Sequence, residues 1–238
     1  MAEPASDIDR VLSLSPHSGM FGIASLFAIV GGFLDAYSYL ARGRVFANAQ
    51  TGNVVLFGVR AAAGNWTSAW QTLPPIFAYM CGVVVARLLR VSPQKRTFRA
   101  TLICQALELI VLLVLLFFGK FVPDFCAVPL IAFSSALQNT SFSNIGSWEF
   151  NSTMTTVNLR NAVSGWVQLA MGETDPNLRG EAIVGTVISL CFAAGALLGG
   201  VCTLGLPAFA LLPAVVLTAA GVLLTIRERQ RRLSSQED

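Results

Sequence analysis

The sequence predicts an all-α integral membrane protein, and three observations lead to that class. Of 238 residues, 54% are hydrophobic and only 12% are charged, where a soluble domain carries about a quarter charged. The apolar residues gather in six runs near 20–40, 73–89, 101–119, 125–142, 182–201 and 206–226, each close to the roughly 20 residues that cross a bilayer. Lys and Arg fall mostly between or after these runs. The expected organisation is a cytoplasmic tail at 1–19, a single membrane domain at 20–227 and a cytoplasmic tail at 228–238.

The first tail holds Pro4, Asp7, Asp9, Arg10 and Pro16 with no apolar run before Met20. A cleavable signal peptide would begin with a basic patch and a short apolar core, so the first run is expected to be retained as a signal-anchor. The polar end, 227–238, is expected to be disordered. Cys81, Cys104, Cys126, Cys191 and Cys202 lie in or beside apolar runs and form no CxxC pair; they read as small packing residues. His17 is the one histidine, so no metal-ligand cluster can be assembled, and no cofactor is expected.

Two segments between the runs are harder to place. The first, 41–72, contains VFANAQTGNVVLFGVRAAAG, whose apolar stretch is broken by Gly58 and Arg60 and is too short to cross alone. The second, 144–180, contains FNSTMTTVNLRNAVSGWVQLAMG, with Asn158, Arg160 and Asn161 inside an otherwise helical pattern. A charge at bilayer depth costs at least about 2.5–3.5 kcal/mol, so neither segment is expected to face lipid.

The two segments resemble one another. Residues 34–39, LDAYSY, match 137–142, LQNTSF; Phe46 and Thr51-Gly52-Asn53 match Phe150 and Thr155-Thr156-Val157. Each half closes on a basic stretch: Arg87, Arg90, Lys95, Arg96 and Arg99, or Arg227, Arg229, Arg231 and Arg232. This predicts a duplication, with one repeat at about 20–99 and the other at about 122–227. Basic loops stay cytoplasmic, and four confident runs separate the two clusters. Both motif segments are therefore expected to be re-entrant or broken helices packed inside the protein, face to face. Three crossings per half then make the repeats inverted, with both termini cytoplasmic. If both segments crossed instead, there would be eight spans and a parallel repeat.

Several polar residues are candidates for function. Asp35, on an apolar run, reads as a proton or cation site; the plainer alternative is a hydrated acid or one paired with Arg42, Arg44 or Arg60. Glu108 is a second buried acid, with Gln105 on the same helix face, and a structural role suits it equally well. Thr51, Gly52 and Asn53 open a helix, where they could cap it or offer N–H groups to an anion. Thr155 and Thr156 stand at the matched point. Gln138, Asn139, Asn144, Asn158 and Asn161 could contact a polar solute or stitch helices together. Arg160 should be paired or face a water-filled cavity. Gly195 and Gly199 form a GxxxG expected to serve internal packing, and Trp66, Trp70, Trp148 and Trp166 read as interfacial aromatics. No nucleotide loop, catalytic triad or zinc motif is present.

The stretch GGFLDAYSYLARGRVFANAQTGNVVLFG resembles the signature of the YoaK-like bacterial membrane proteins, domain of unknown function 1275. Gly32, Asp35, Ala36, Phe46, Thr51, Gly52 and Asn53 match it, as do Gln138-Asn139 and Thr155-Thr156 in the second half. Val157 and Asn158 depart from it, standing where that family carries Thr-Gly. The resemblance covers about 20–227 and implies about six spans and a bacterial inner membrane. It supplies no activity.

The function expected is a secondary transporter or channel for a small polar solute, with Asp35 as proton or coupling-ion site and Thr51, Asn53, Thr155 and Asn158 as solute ligands. The alternative is a non-catalytic membrane scaffold or accessory subunit. A membrane-embedded enzyme comes third, for want of a nucleophile–base pair. The partners expected are the lipid bilayer and a second copy of the chain in a homo-oligomer, and nucleic acid is not among them.

Overall fold

The computed structural model describes residues 18–89, 94–141, 144–145, 148–149 and 155–234. Helix α1 spans Ser18–Ala41 and stops where Gly43 (φ 76°) and Arg44 (φ 54°) take left-handed conformations, which end a helix readily at glycine. Loop 42–49 leads into α2, Gln50–Ala62. The short α3, Trp66–Trp70, is capped by the Asn65 side chain, which accepts the Ser68 N–H at 3.2 Å. Next come α4, Leu73–Leu89, and α5, Gln94–Phe118. A 3-10 turn at Gly119–Phe121 joins α5 to α6, Asp124–Ser141.

The second half opens with a two-residue antiparallel pair, β1 Asn144–Ile145 and β2 Trp148–Glu149. It continues with α7, Thr155–Ala170, and α8, Pro176–Gly205, whose first turn is capped by Asp175 accepting the Asn177 N–H at 2.9 Å. A 3-10 turn at Pro207–Phe209 leads to α9, Leu212–Ser234.

Long-range packing is dominated by two helix pairs, α1 on α8 and α4 on α6, and the next are α7 on α8, α5 on α6, and α9 on both α1 and α5. The first pair is parallel. Gly195 of α8 sits against the Ile29 carbonyl and Gly199 against that of Phe33, so a Cβ on Gly199 would lie 2.5 Å from the oxygen. The second pair is parallel as well: Gly82 abuts the Phe133 carbonyl, and Ala86 packs with Leu137. Backbones this close tolerate only glycine, as expected of GxxxG packing within a membrane bundle. A hydrophobic core forms where α1, α5, α6 and α9 meet, around Phe33, Leu34, Leu112, Ile131 and Ala214.

The helix directions follow. The N-terminal end of α1 meets the C-terminal end of α9, where Gly19 lies against Glu228. The C-terminal end of α1 meets the start of α6 through Arg42 and Asp124, 3.3 Å apart. Thus α1, α5 and α8 run one way, and α4, α6 and α9 run the other. The arginines Arg87, Arg99 and Arg227–Arg232 all fall at one end of the bundle.

Five stretches are long and apolar enough to cross a membrane: Gly19–Ala41, Trp66–Leu89, Arg99–Phe121, Asn177–Gly205 and Pro207–Ser234. The second is longer than the run read from sequence because α3 extends it. The expected run at 125–142 is helical as α6 but is not among the five. Its second half carries Ser134, Ser135, Gln138 and Asn139, all buried.

Two expectations are overturned. Arg227–Ser234 is helix rather than disordered tail, continued by an i,i+4 pair between Glu228 and Arg232 at 2.9 Å, of the kind that supports helix ends; residues 235–238 lie outside the described part, as does most of the first tail. The motif helices are also not enclosed. Among residues of α2 only Asn53 is buried, and Val54, Val55 and Val59 are exposed. Likewise α7 buries Asn158, Ala162 and Gly165 and exposes Val157, Leu159, Val163 and Val167.

Candidate functional site

The Asp35 region is built by the return of loop 42–49 along α1. Ser38 Oγ accepts the Ala47 N–H at 3.1 Å and donates to the Asp35 carbonyl at 3.1 Å. The Asp35 carboxylate accepts the Asn48 N–H at 2.6 Å, with the N–H groups of Ala47 and Ala49 turned towards it. Asn48 itself is fully buried and donates its side-chain amide to the Gly31 carbonyl at 3.1 Å. Gly31 is ten residues before the end of α1, about 15 Å along its axis at 1.5 Å per residue. The loop therefore dips to the middle of the Gly19–Ala41 span before α2 climbs back.

Each residue of the TGN triplet now has a place. Asn53 acts as a staple: its Oδ1 accepts the Phe46 N–H, and its Nδ2 donates to the Phe46 carbonyl and to Gln50 Oε1, all at 2.8 Å. Gly52 leaves room for the Phe46 ring, which a Cβ would meet at 2.9 Å, and that ring stacks on Tyr39 with centroids 5.0 Å apart. Thr51 is exposed. The Asp35 carboxylate thus lies against the backbone just ahead of α2, a favourable placement for a carboxylate. None of the three arginines considered as partners pairs with it. Arg42 bonds Tyr37 Oη, the Val122 carbonyl and Asp124, while Arg60 bonds the carbonyls of Ser68 and Arg44.

In the second half, α7 runs antiparallel to α8, with Asn158 and Ala162 against Gly185 and Gly165 against Leu178 and Ala182. It begins beside the middle of α8 and ends near the start of that helix. Asn158 is buried, Thr155 is half-buried, Thr156 and Arg160 are exposed, and Asn161 is half-buried. Asn139 donates to Tyr79 Oη at 3.4 Å. Gln138 is buried with its Nε2 unpartnered. The side chain of Asn144 lies outside the described part. The two motif helices do not pack on one another: α2 lies on α3 and α4, and α7 lies on α8, so the expectation that they face each other fails. What they share is register. Asn53 and Asn158 are each the fourth residue of their helix and the polar residue that it buries.

Sequence reasoning passed over Asn48, Ser38 and Ser135. For Asn48 the available signal was a polar residue just before a helix start. For Ser135, which donates to Glu108 Oε1 at 3.1 Å, there was none. At the end of the bundle remote from the basic clusters, a cavity of about 510 Å³ opens between Tyr37, Arg42, Leu115, Lys120, Pro207 and Leu211.

Comparison with known proteins agrees with the resemblance. The model of a family described as a protein of unknown function (DUF1275) matches residues 23–224. UPF0700 transmembrane protein YoaK of Bacillus subtilis (strain 168) is 29% identical over 139 residues, 56% of this chain and 61% of that protein. The match thus spans about three fifths of the relative's length. No solved structure matches. With the family match running from the first long helix to the last, and five membrane-length stretches beneath it, this chain is a multi-pass membrane protein of the DUF1275 family.

Proposed function

We propose that the chain is a secondary transporter or channel for a small polar solute, made of two inverted three-span repeats. The observation that carries this reading is the depth of the motif segments: Asn48 reaches Gly31 at mid-span of α1, and α7 starts beside mid-span of α8. Secondary transporters place broken helices at such depths, where the repeats meet. Packing supports the duplication. Pairing α1 with α6, α4 with α8 and α5 with α9 turns the α1–α8 contact into α6–α4, and the α5–α6 contact into α9–α1. The first repeat then extends past 99 to take in α5, giving three crossings of alternating direction in each half. On this reading α6 is the sixth crossing, and its polar face is sheltered by α4 and α5. Both basic clusters and both termini are cytoplasmic, in a bacterial inner membrane. A homo-oligomer in which a second copy covers Arg160 on α7 belongs to the same proposal.

The scaffold alternative draws on the internal bonds of Asp35 and Asn53, which hold the loop rather than leave groups free. Uptake separates the two. Proteoliposomes of the wild type should accumulate a polar solute, and Asn48→Ala should lower the rate while folded protein stays abundant. Loss of abundance or of a co-purifying partner without any wild-type flux would favour the scaffold. Topology is checked by single cysteines in a cysteine-free background: an impermeant maleimide should reach Lys120→Cys from outside, and Ser234→Cys only after permeabilisation.

A further inference from the structure

Between α5 and α6 lies a row of buried polar side chains that the Asp35 region does not touch. Ser135 bonds Glu108 across the two antiparallel helices. Three residues back along α5 and three forward along α6, the same register sets Gln105 level with Gln138. All four are at least 98% buried. Glu108 is the tenth of the 23 residues in its span, Arg99–Phe121, close to mid-depth.

These side chains are under-supplied with partners. Glu108 Oε2, both polar atoms of Gln105 and Gln138 Nε2 have none. Buried polar atoms are nearly always bonded, and each exception asks for an explanation. Helices α4, α6 and α9 pack on α5, and none of the residues described on them brings Glu108 a cation. Arg87 and Arg227 are exposed at the basic end, Asp124 is exposed at the other end beside Arg42, and Tyr79 is engaged by Asn139. Cys104 of α5 packs with Ala86 and Leu137. Among the described residues, the one hydrogen bond to Glu108 comes from Ser135.

An isolated carboxylate in the apolar interior is so costly that it takes up a proton or a cation. Glu108 Oε2 and Gln105 Oε1 supply unclaimed oxygens of the kind that bind hard cations, and Ser135 holds the other carboxylate oxygen, Oε1. We infer that Glu108, Gln105, Ser135 and Gln138 form a site for a single positive charge, a proton or a small monovalent cation, distinct from Asp35. The inference deepens the transport reading, since the charge held there is the coupling ion of that cycle, but the site is testable without flux.

The test uses the purified full chain. Melting is followed across a pH series in choline chloride, then at one alkaline pH with lithium, sodium, potassium or ammonium replacing choline. The wild type should be stabilised by acidification if the site takes a proton, or by one of the cations if it takes a metal or ammonium ion. Glu108→Gln should melt independently of both, Asp35→Asn should keep the response, and Ser135→Ala should shift its midpoint about fivefold, the effect of one hydrogen bond. Dicyclohexylcarbodiimide provides a readout on the unmutated protein: it should modify Glu108, detected by peptide mass spectrometry, and the stabilising condition should alter that modification, while Asp35 stays unlabelled. A wild type indifferent to pH and to every cation, a Glu108→Gln protein that responds like wild type, or a Glu108 untouched by carbodiimide would each overturn the assignment. A cation response without solute uptake leaves the site standing and removes the transport reading.

Discussion

Asp35 and Glu108 are both carboxylates buried to 5% exposure or less inside apolar helices, yet the chain treats them differently. Asp35 meets the N–H of Asn48 and the start of α2, so backbone dipoles answer its charge. Glu108 meets one hydroxyl, its second oxygen has no partner, and the neighbouring rungs of the row, Gln105 and Gln138, carry unpartnered amide atoms of their own. Burial alone therefore does not mark a functional acid in a membrane protein. What distinguishes the two is whether the fold has already supplied the positive end of the interaction.

The largest effect should come from Asp35→Ala, which strips loop 42–49 of its acceptor and leaves buried N–H groups unbonded; a loss of about 3 kcal/mol is expected, at the upper end for such a removal, read as thermal stability and yield of monodisperse protein. Asn53→Ala should come next, costing about 2 kcal/mol, because two bonds to Phe46 and one to Gln50 vanish together. A melting temperature unchanged by either would mean that the loop is held by something else, and the contrast with Glu108 would collapse. Asn48→Ala keeps the N–H to Asp35 and loses only the bond to Gly31, for about 1 kcal/mol. Glu108→Gln should be smallest, within about 0.5 kcal/mol, since the glutamine carbonyl still accepts from Ser135 and no charge is left without compensation. Should Glu108→Gln prove more damaging than Asp35→Ala, Glu108 would be the structural acid of the pair.

The helices were legible in the sequence because a run of some 20 apolar residues has few other solutions in a membrane. Which face of α2 or α7 looks inward was not, because lipid and protein interior are equally apolar and Val54 or Val163 suits either. Identity in the sequence pairs Thr51 with Thr155, whereas position along α2 and α7 pairs Asn53 with Asn158, one residue away. The role of Asn48 rests on a contact with Gly31 that only the folded chain creates. Arg227–Ser234 was misread because a polar composition suggested disorder, while continuity with α9 and the Glu228–Arg232 pair kept it helical.

The parallel contact of α1 with α8 bears on how the protein is made. Ile29 meets Gly195, which is synthesised 166 residues later, and at roughly 5–20 residues per second the ribosome needs on the order of ten to thirty seconds to deliver it. During that interval α1 sits in the bilayer with its groove facing lipid. Helices α1 to α5 cannot complete the packing of α1 by themselves, and the last two long helices act as the closing step of insertion. A chain stopped before α8 should therefore be a target for membrane proteolysis rather than a stable half-protein.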